Sequence, residues 1–153
     1  MSDLGDALRV ALADTFAFYL KIHGYHWNVT GEDFYEFHKF FNKLYDEVWE
    51  AVDAIAEHIR AIDEYAPGSL SRFSELTNIE DAVTIPLKTG NVSTAVQMAS
   101  QLLHDNEIVI QSLTRAYHEA EAEKELGVSN FLQDRIDIHH KHGWQLRSTV
   151  KNR

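Results

Sequence analysis

The sequence lacks cysteine, so neither a disulfide bond nor a thiolate metal site can form, and any metal must be held by histidine and carboxylate side chains. No apolar run approaches the roughly 18 residues needed to cross a bilayer. Residues 1–6 have neither the basic nor the apolar region of a secretory signal. Proline is scarce, and Pro67 and Pro86 both lie near the middle, so long helices fit on either side. These absences favour a soluble cytoplasmic protein with no membrane segment.

Basic side chains are also few. The chain has 14 Lys and Arg against 24 Asp and Glu, which gives a formal charge of −10. Such a surface repels nucleic acid and attracts cations. The 153 residues, of which 44% are hydrophobic, suit one domain over residues 1–153 with its own core. Nine histidines supply ligands for a cysteine-free metal site.

The spacing of apolar residues predicts four long helices. The first covers residues 3 to about 29 and ends at Thr30-Gly31, where Gly31 suits a left-handed conformation and Asp33 can cap the next helix. The second covers about 34–65, the third about 93–124 with Gly127 as its breaker, and the fourth about 130–150. A short helix fits residues 69–77, and residues 78–89 are expected to be irregular. The prediction is an all-α, ferritin-like four-helix bundle with a short extra helix between helices two and three.

Two carboxylates and two imidazoles form a candidate metal site. Asp53 and Glu57 lie one turn apart on one face of the second helix, where they can clamp a hard cation or simply form a solvated face. His26 and His38 flank the Thr30-Gly31 turn, so an antiparallel helix pair brings them to similar heights. Imidazole suits iron or zinc.

These four side chains cannot hold one ion within one chain. His38 and Asp53 are separated by roughly 22 Å along a helix, whereas metal–ligand bonds are only about 2 Å long. A two-fold dimer with antiparallel packing would bring the histidine end of one chain onto the carboxylates of the other. Such an isologous interface creates two identical sites.

Two stretches of the sequence form a specific series: His26-Trp27-Asn28-Val29-Thr30-Gly31 followed by Phe34 and His38, and then Asp53-Ala54-Ile55-Ala56-Glu57. This series resembles the signature of the Dps family, the DNA-binding proteins from starved cells, which are also called miniferritins. The resemblance extends from Lys21 to Arg147 and so covers most of the chain.

The resemblance implies a hollow homo-oligomer, a dodecamer built from two-fold dimers, with a ferroxidase site at each end of the dimer interface. His26 and His38 would come from one subunit and Asp53 and Glu57 from its partner, with Glu57 the firmest iron ligand. The implied enzyme activity is oxidation of Fe²⁺ by peroxide, or more slowly by oxygen. Ferric iron would then be stored in the cavity, which protects against oxidative damage. Trp27 would lie beside the site and quench radicals; its plainer interpretation is a core aromatic.

The sequence departs from the family pattern at one position. The usual Asp four residues after the second histidine is Asn42 here, and a neutral amide binds iron more weakly than a carboxylate. Asp46, one turn further on, could substitute only after a backbone shift or through water. His58 points about 100° away from Glu57, so it is interpreted as a surface or interface histidine. A histidine-rich variant site could also favour zinc.

Three further features have plainer alternatives. His23 lies on nearly the same face as His26 and either supports the metal ligands or packs against its neighbours, and packing is favoured. The His139-His140-Lys141-His142 run resembles a metal tract, but its side chains point in different directions, which favours a solvated or interface face. In the family, acidic residues near the end of the third helix line three-fold pores that attract ferrous iron. The candidates here are Glu121, Glu125, Asn130 and Asp134, and a solvated helix end is the alternative.

Two other functions compete with iron oxidation. DNA-compacting family members often use a lysine-rich tail, and this sequence begins Ser2-Asp3-Leu4 and ends with only Lys151 and Arg153 as tail charges, so direct DNA binding is not expected at −10 per subunit. The other is a zinc- or iron-binding shell whose oxidase activity is weak because of Asn42.

Overall fold

A computed structural model describes residues 3–82 and 85–151. Five helices form in this part of the chain: α1 (Asp3–Asn28), α2 (Phe34–Ala61), α3 (Leu70–Leu76), α4 (Ala95–Ala122) and α5 (Leu126–Val150). α1 packs along both α2 and α4, α4 packs along α5, and the short α3 lies against α1. The described residues contain no strand. The predicted bundle of four long helices with a short helix in the long connection is confirmed.

The core lies between the four long helices and is filled by the apolar stripe of each. Leu8 and Phe18 from α1, Phe41 from α2 and Leu113 from α4 are completely buried. α5 contributes Leu132 and Leu146, which are also completely buried. This close packing holds the helix backbones, and therefore the side chains near their ends, in fixed positions.

The predicted end of the second helix is wrong by four residues, because α2 stops at Ala61 rather than near Tyr65. Asp63 adopts a left-handed conformation with φ 66°. The N–H of Glu64 donates to the carbonyl of Ile59 at 3.2 Å, which is the 6→1 bond of a Schellman ending. The helix is therefore ended by this turn, before Pro67 is reached.

The start of the last helix is also earlier than predicted, at Leu126 instead of Asn130. Lys124 carries the left-handed turn at φ 59°, and the N–H of Glu125 donates to the carbonyl of Ala120 at 2.9 Å. Gly127, predicted to break the third helix, lies in the first turn of α5. Glycine is tolerated there because the first N–H groups of a helix have no partner within it.

The other helix ends differ in how they are capped. Gly31 has φ 109° in the α1–α2 turn, as its left-handed assignment predicts. Asp33 occupies the N-cap position of α2, but its side chain makes no capping hydrogen bond, so the predicted cap is wrong in its chemistry. Thr94 and Gln97 form a complete capping box at the start of α4, with hydrogen bonds of 3.1 and 2.8 Å.

A buried aspartate attaches the long connection to α1. The carboxylate of Asp14 is fully buried and accepts hydrogen bonds from Thr77 Oγ1 at 2.8 Å and from the backbone N–H of Asn78 at 2.6 Å. The amide of Asn78 donates to its second oxygen at 3.3 Å. Buried carboxylates require such donors, so this cluster fixes the segment after α3 against α1.

Candidate metal centre

His26 and His38 meet across the α1–α2 turn. Their rings stack with centroids 3.8 Å apart and an interplanar angle of 14°. Nδ1 of His26 lies 2.7 Å from the carbonyl oxygen of His38, and Nδ1 of His38 lies 2.8 Å from the carbonyl oxygen of His26. The turn therefore brings the two imidazoles together, as their positions in the sequence predict.

These reciprocal bonds determine which ring nitrogen can bind a metal. A carbonyl oxygen only accepts, so Nδ1 of each ring must carry the proton and donate it. Nε2 of each neutral ring then keeps the lone pair that a metal ion needs. A backbone carbonyl bound to the other ring nitrogen is the usual partner of a metal-ligating histidine, because it fixes the tautomer and the orientation of the ring.

Asp53 and Glu57 form the other half of the candidate site, on the exposed face of α2. A hydrogen bond with Asp53, together with the charge of Asp53, raises the pKa of Glu57. Two carboxylates this close repel each other, and a bound cation would relieve that repulsion. His58 lies on the next face of the helix, where its Nδ1 donates to the Ala54 carbonyl at 2.7 Å and its ring stacks on Phe131.

Within the described part of a single chain, no three His, Asp or Glu side chains come together in an arrangement that would hold a metal ion. The histidine pair lies at the turn between α1 and α2, and the carboxylates lie in the later turns of α2. Their separation of roughly 22 Å along the helix follows from its rise per residue. Each chain therefore offers two separate half-sites.

Asn42, where the family pattern has a carboxylate, is already engaged. Its Nδ2 donates to Asp46 Oδ2 at 2.8 Å. This bond uses the amide N–H groups of Asn42, and its carbonyl oxygen, which is a neutral ligand, binds iron more weakly than a carboxylate would. Asp46 itself is exposed, and its charge favours protonation of His23, whose pKa is nevertheless lowered by burial and by the neighbouring His26.

Aromatic rings continue from the histidine pair along the α1–α2 face. Tyr45 meets His26 edge-on at 5.2 Å and stacks on His23 at 3.9 Å. Nδ1 of His23 lies 2.8 Å from the Tyr19 hydroxyl, so this histidine is hydrogen-bonded as well as packed against neighbouring rings. Tyr19 in turn lies 4.7 Å from Trp49. We call this set of rings, with Trp27 at its first end, the aromatic ladder.

Trp27 is not a core residue of the single chain, contrary to the plainer interpretation of it. Its side chain is 62% exposed, and its ring lies 4.1 Å from that of His23. The backbone at this end of α1 directs the indole outward beside the histidine half-site.

A groove adjoins the carboxylate half-site. It has a volume of about 590 Å³ and is lined by Asp53 together with mostly apolar side chains, including Trp49, Val52 and Phe73. Trp49 is 51% exposed in the single chain. An exposed apolar surface of this kind beside a carboxylate suits a protein partner that covers the rings and delivers a polar group to Asp53.

The prediction that the 139–142 run forms a solvated or interface face is wrong for two of its histidines, which are buried within the single chain. His139 is completely buried and His142 is nearly so, whereas His140 is exposed. His139 exchanges hydrogen bonds of 2.8–2.9 Å with Asn106 and accepts one from Arg135 at 2.7 Å. Arg135 also pairs with Glu47, to which His142 Nε2 donates at 2.7 Å. We call the five side chains joined in this way the core polar cluster: Glu47, Asn106, Arg135, His139 and His142.

The core polar cluster has a pattern that the sequence contains. Leu132, Arg135, His139, His142 and Leu146 follow one another at spacings of three and four residues, which is the stripe that a helix directs inward. Two leucines at the ends of the stripe mark it as buried. Burial lowers the pKa of His139 well below its usual value, and the charge of Arg135 adds to this.

The proposed pore residues are all exposed. Glu121 lies at the end of α4, Glu125 in the turn before α5, and Asn130 and Asp134 in the first turns of α5. They are grouped around the α4–α5 turn at one end of the bundle. None of the helices within residues 3–82 and 85–151 combines the length and the apolar character needed to cross a membrane.

The fold agrees with comparisons to known proteins. The model of the ferritin-like domain family matches residues 5–153. An uncharacterised low temperature-induced protein of Nostoc sp. is 30% identical over 145 residues, which cover 94% of this chain and 78% of that protein. DNA protection during starvation protein 2 of Bacillus anthracis is 27% identical, with 94% and 93% covered.

Solved structures show the same backbone fold. The crystal structure of antigen TpF1 from Treponema pallidum has a TM-score of 0.87 at 26% identity and covers 97% of this chain and 91% of its own. A Dps protein from Bacillus brevis has a TM-score of 0.88 at 24% identity, with 97% and 95% covered. Fold and family model together define a ferritin-like protein. Within that class, the chain belongs to the Dps family.

Proposed function

We propose that this protein oxidises Fe²⁺ at a site shared between two subunits and stores the ferric product inside a hollow shell. The observation that carries the proposal is the histidine pair, whose Nδ1 atoms are both bound to backbone carbonyls. That arrangement leaves two adjacent Nε2 lone pairs for a metal ion. Membership of the Dps family and the carboxylates on α2 support the same interpretation.

The two half-sites would be completed by a two-fold dimer. His26 and His38 of one subunit would meet Asp53 and Glu57 of its partner, which gives two nitrogen and two carboxylate ligands for iron as the substrate. Trp27 and Trp49, both exposed in the single chain, lie beside opposite half-sites and would be covered in the same contact. Packing of these dimers into a dodecamer follows the family resemblance.

The carboxylates supply the driving force for oxidation. Anionic oxygen ligands stabilise Fe³⁺ more than Fe²⁺, because the attraction grows with the charge of the ion. Peroxide, or more slowly oxygen, is the oxidant that the family resemblance implies, and reduction of peroxide takes one electron from each of two ferrous ions and yields water. Removing ferrous iron and peroxide together would protect the cell from hydroxyl radical. Trp27 would intercept radicals that form beside the site.

The acidic surface would deliver the iron. With −10 per subunit, the assembled shell attracts cations. Glu121 and Glu125, with Asn130 and Asp134 close by, would line three-fold pores where α4–α5 turns of neighbouring subunits meet. The same net charge opposes direct binding to DNA. Retention of DNA in a gel-shift assay at moderate salt would contradict this part of the proposal.

Stopped-flow oxidation of Fe²⁺ by peroxide tests the activity. Wild-type protein should oxidise iron well above the rate in buffer, and Glu57→Gln should lose roughly 100-fold or more, because removing a ligand is at least as severe as disturbing the groups that orient one. Glu107→Gln is the matched control, since Glu107 is an exposed carboxylate on α4 and lies outside the half-sites. If wild-type protein oxidised Fe²⁺ no faster than buffer alone, the proposed enzyme activity would be refuted.

A metal-binding shell with weak oxidase activity is the second candidate, and the hydrogen bond between Asn42 and Asp46 favours it. That bond joins the two side chains closest to a second iron position, where a neutral amide binds iron more weakly than a carboxylate. Zinc would then bind the histidine and carboxylate ligands without being oxidised. If wild-type protein is inactive and Asn42→Asp restores oxidation, this second function is the correct one.

A further inference from the structure

The aromatic ladder joins the two half-sites of one chain. At its first end, Trp27 lies beside His23, and Tyr45 touches His26 of the histidine half-site at 5.2 Å. At its other end, Trp49 precedes Asp53 by one helical turn and lines the same groove. The rings between them are in contact: Tyr45 and Tyr19 lie 6.3 Å apart and Tyr19 and Trp49 lie 4.7 Å apart, centroid to centroid.

In the dimer proposed above, these two ends belong to different iron sites. The histidines of a chain complete one site, and the carboxylates of the same chain complete the other. The ladder of each chain therefore spans the distance between the two sites, roughly 22 Å along α2. An electron crosses such a distance slowly in a single step but rapidly in short steps between tyrosine and tryptophan rings, which can be oxidised and reduced in turn.

The middle of the ladder also contains a group that can accept the proton of an oxidised tyrosine. A tyrosine that loses an electron becomes a strong acid and must release its phenolic proton. The Tyr19 hydroxyl lies 2.8 Å from Nδ1 of His23. A phenolic O–H can donate and a neutral imidazole nitrogen can accept, so this geometry lets His23 take the proton as the tyrosine is oxidised.

The chemistry of peroxide reduction explains why an electron would have to travel along the ladder. Reduction of peroxide to water needs two electrons, and a single Fe²⁺ supplies one and releases hydroxyl radical. Asn42 in place of a carboxylate weakens the second iron position of each site, because a neutral amide oxygen binds iron more weakly than a carboxylate, and the amide N–H of Asn42 is bonded to Asp46. With one iron firmly held at each site, the second electron has to come from outside that site.

We propose that the aromatic ladder carries one electron from Fe²⁺ at one site of the dimer to the peroxide that is reduced at the other; this role rests on the proposed iron oxidation. Each ferrous ion loses one electron. Peroxide gains both electrons and two protons from solvent, its O–O bond breaks, and two water molecules form. Tyr19 loses an electron to the peroxide side and a proton to His23, then regains both, so the ladder is unchanged.

Tyr19→Phe tests the proposal because it removes the phenol and keeps the ring. The matched control is Tyr65→Phe, since Tyr65 is an exposed tyrosine whose ring lies over Arg60 and not on the ladder. Each protein would be loaded with one Fe²⁺ per site and given peroxide, with a hydroxylation-sensitive fluorescent probe in solution. Hydroxylated probe per iron oxidised should rise several-fold in Tyr19→Phe and stay at the wild-type level in Tyr65→Phe. Equal yields in all three proteins would overturn the proposal.

A second measurement separates the ladder from the iron chemistry. Iron-free protein would be oxidised by a ruthenium polypyridyl photo-oxidant, and the phenoxyl radical followed by electron paramagnetic resonance. Tyr19→Phe should lose much of the signal and Tyr65→Phe should keep it, whereas an unchanged signal in Tyr19→Phe overturns the proposal. Failure of the wild type to oxidise iron would be a failure of the proposed function, and the light-driven signal would then show separately whether the rings are redox-active.

Discussion

Two pairs of histidines lie in this bundle, and their surroundings differ. His26 and His38 use Nδ1 to bind backbone carbonyls, which leaves both Nε2 atoms for a metal. His139 has both ring nitrogens occupied, one by Asn106 and one by Arg135. The number of histidines in a cluster is therefore a poor guide to metal binding. The hydrogen-bond partner of each ring nitrogen decides whether a lone pair is available.

The two pairs also differ in their contribution to stability. The core polar cluster contains an arginine, a glutamate and two histidines that pair with one another inside the protein, so removing one member leaves another without its partner. The histidine pair at the α1–α2 turn is held by the backbone, and its outward nitrogens serve a ligand. We expect changes to the first cluster to affect folding and changes to the second to affect metal binding.

The largest effect is expected from Arg135→Met, which removes the cation of the core polar cluster. Glu47 and His139 would lose their partner, and the free energy of unfolding should fall by about 3 kcal/mol, at the lower end for a buried pair because Glu47 is partly exposed. Chemical denaturation followed by circular dichroism measures this. Arg115→Met, at an exposed position, should change the value by less than about 0.5 kcal/mol. Equal losses in both variants would show that the cluster does not stabilise the fold.

The next largest effects are expected from replacing one histidine of each pair, and the two replacements should change different properties. His38→Ala should weaken zinc binding by about 100-fold, with zinc used as a redox-inert probe in calorimetry. His139→Ala should leave zinc affinity unchanged and lower the free energy of unfolding by about 1–3 kcal/mol, because Asn106 and Arg135 lose a buried partner. If His139→Ala weakened zinc binding as much as His38→Ala, the distinction between the two pairs would be wrong.

The position of the first histidine pair was predictable from the sequence, but the sequence analysis did not predict the burial of the second pair. The four helices, the turn that joins His26 to His38, and the separation of the half-sites follow from apolar spacing and helix rise. The burial of His139 and His142 was mispredicted, because their neighbours His140 and Lys141 suggested a solvated face. The three-and-four spacing from Leu132 to Leu146 contains the correct answer, since it places both histidines on the inward stripe.

Helix ends were the other element that the sequence predicted poorly. Glycine often ends helices, which predicts a break at Gly127, yet Lys124 and Asp63 carry the left-handed turns. A left-handed lysine or aspartate is held there by long-range packing of α4 against α5 and of α2 against α1, which no local pattern contains. The partner of Asn42 was also hidden, because only the structure gives the rotamer that brings its amide to Asp46.

Acid should weaken the core polar cluster in a defined pH window. Burial alone would raise the pKa of Glu47, but hydrogen bonds from His142 and Arg135 and their charges outweigh it and lower the pKa to about 2. A carboxylate with a lowered pKa stabilises the fold fully above its unfolded value of 4.5 and loses this as the pH falls toward about 2. His139, whose pKa is lowered, adds a loss that begins as the pH falls below 6.5.

Denaturation across pH 7 to 2 measures this loss. Wild-type protein should lose about 1–2 kcal/mol more than Glu47→Gln between pH 4.5 and 2, after allowance for the partial exposure of Glu47. Glu50→Gln, an exposed carboxylate one turn along α2, serves as the control and should follow the wild-type curve. Parallel curves for wild type and Glu47→Gln would contradict the assignment.

The smallest effect on stability is expected from Asn42→Asp, next to the histidine pair. It replaces a hydrogen bond to Asp46 with two like charges one turn apart, which should cost a few tenths of a kcal/mol. The same change supplies a carboxylate for a second iron, so iron bound per subunit and the rate of oxidation should both increase. Equilibrium binding of Fe²⁺ without oxygen gives the stoichiometry. An unchanged stoichiometry would mean that position 42 does not face the metal.

The attachment of residues 77–78 to Asp14 has a consequence for assembly. Because that carboxylate holds the connecting segment to α1, the wall that α3 and Phe73 form beside the groove is already in position in the isolated chain. A partner that enters the groove then meets a preformed surface and does not have to order a loop, so association loses little conformational entropy. One buried aspartate, which is not itself a proposed ligand, would thereby make the two halves of the iron site easier to bring together.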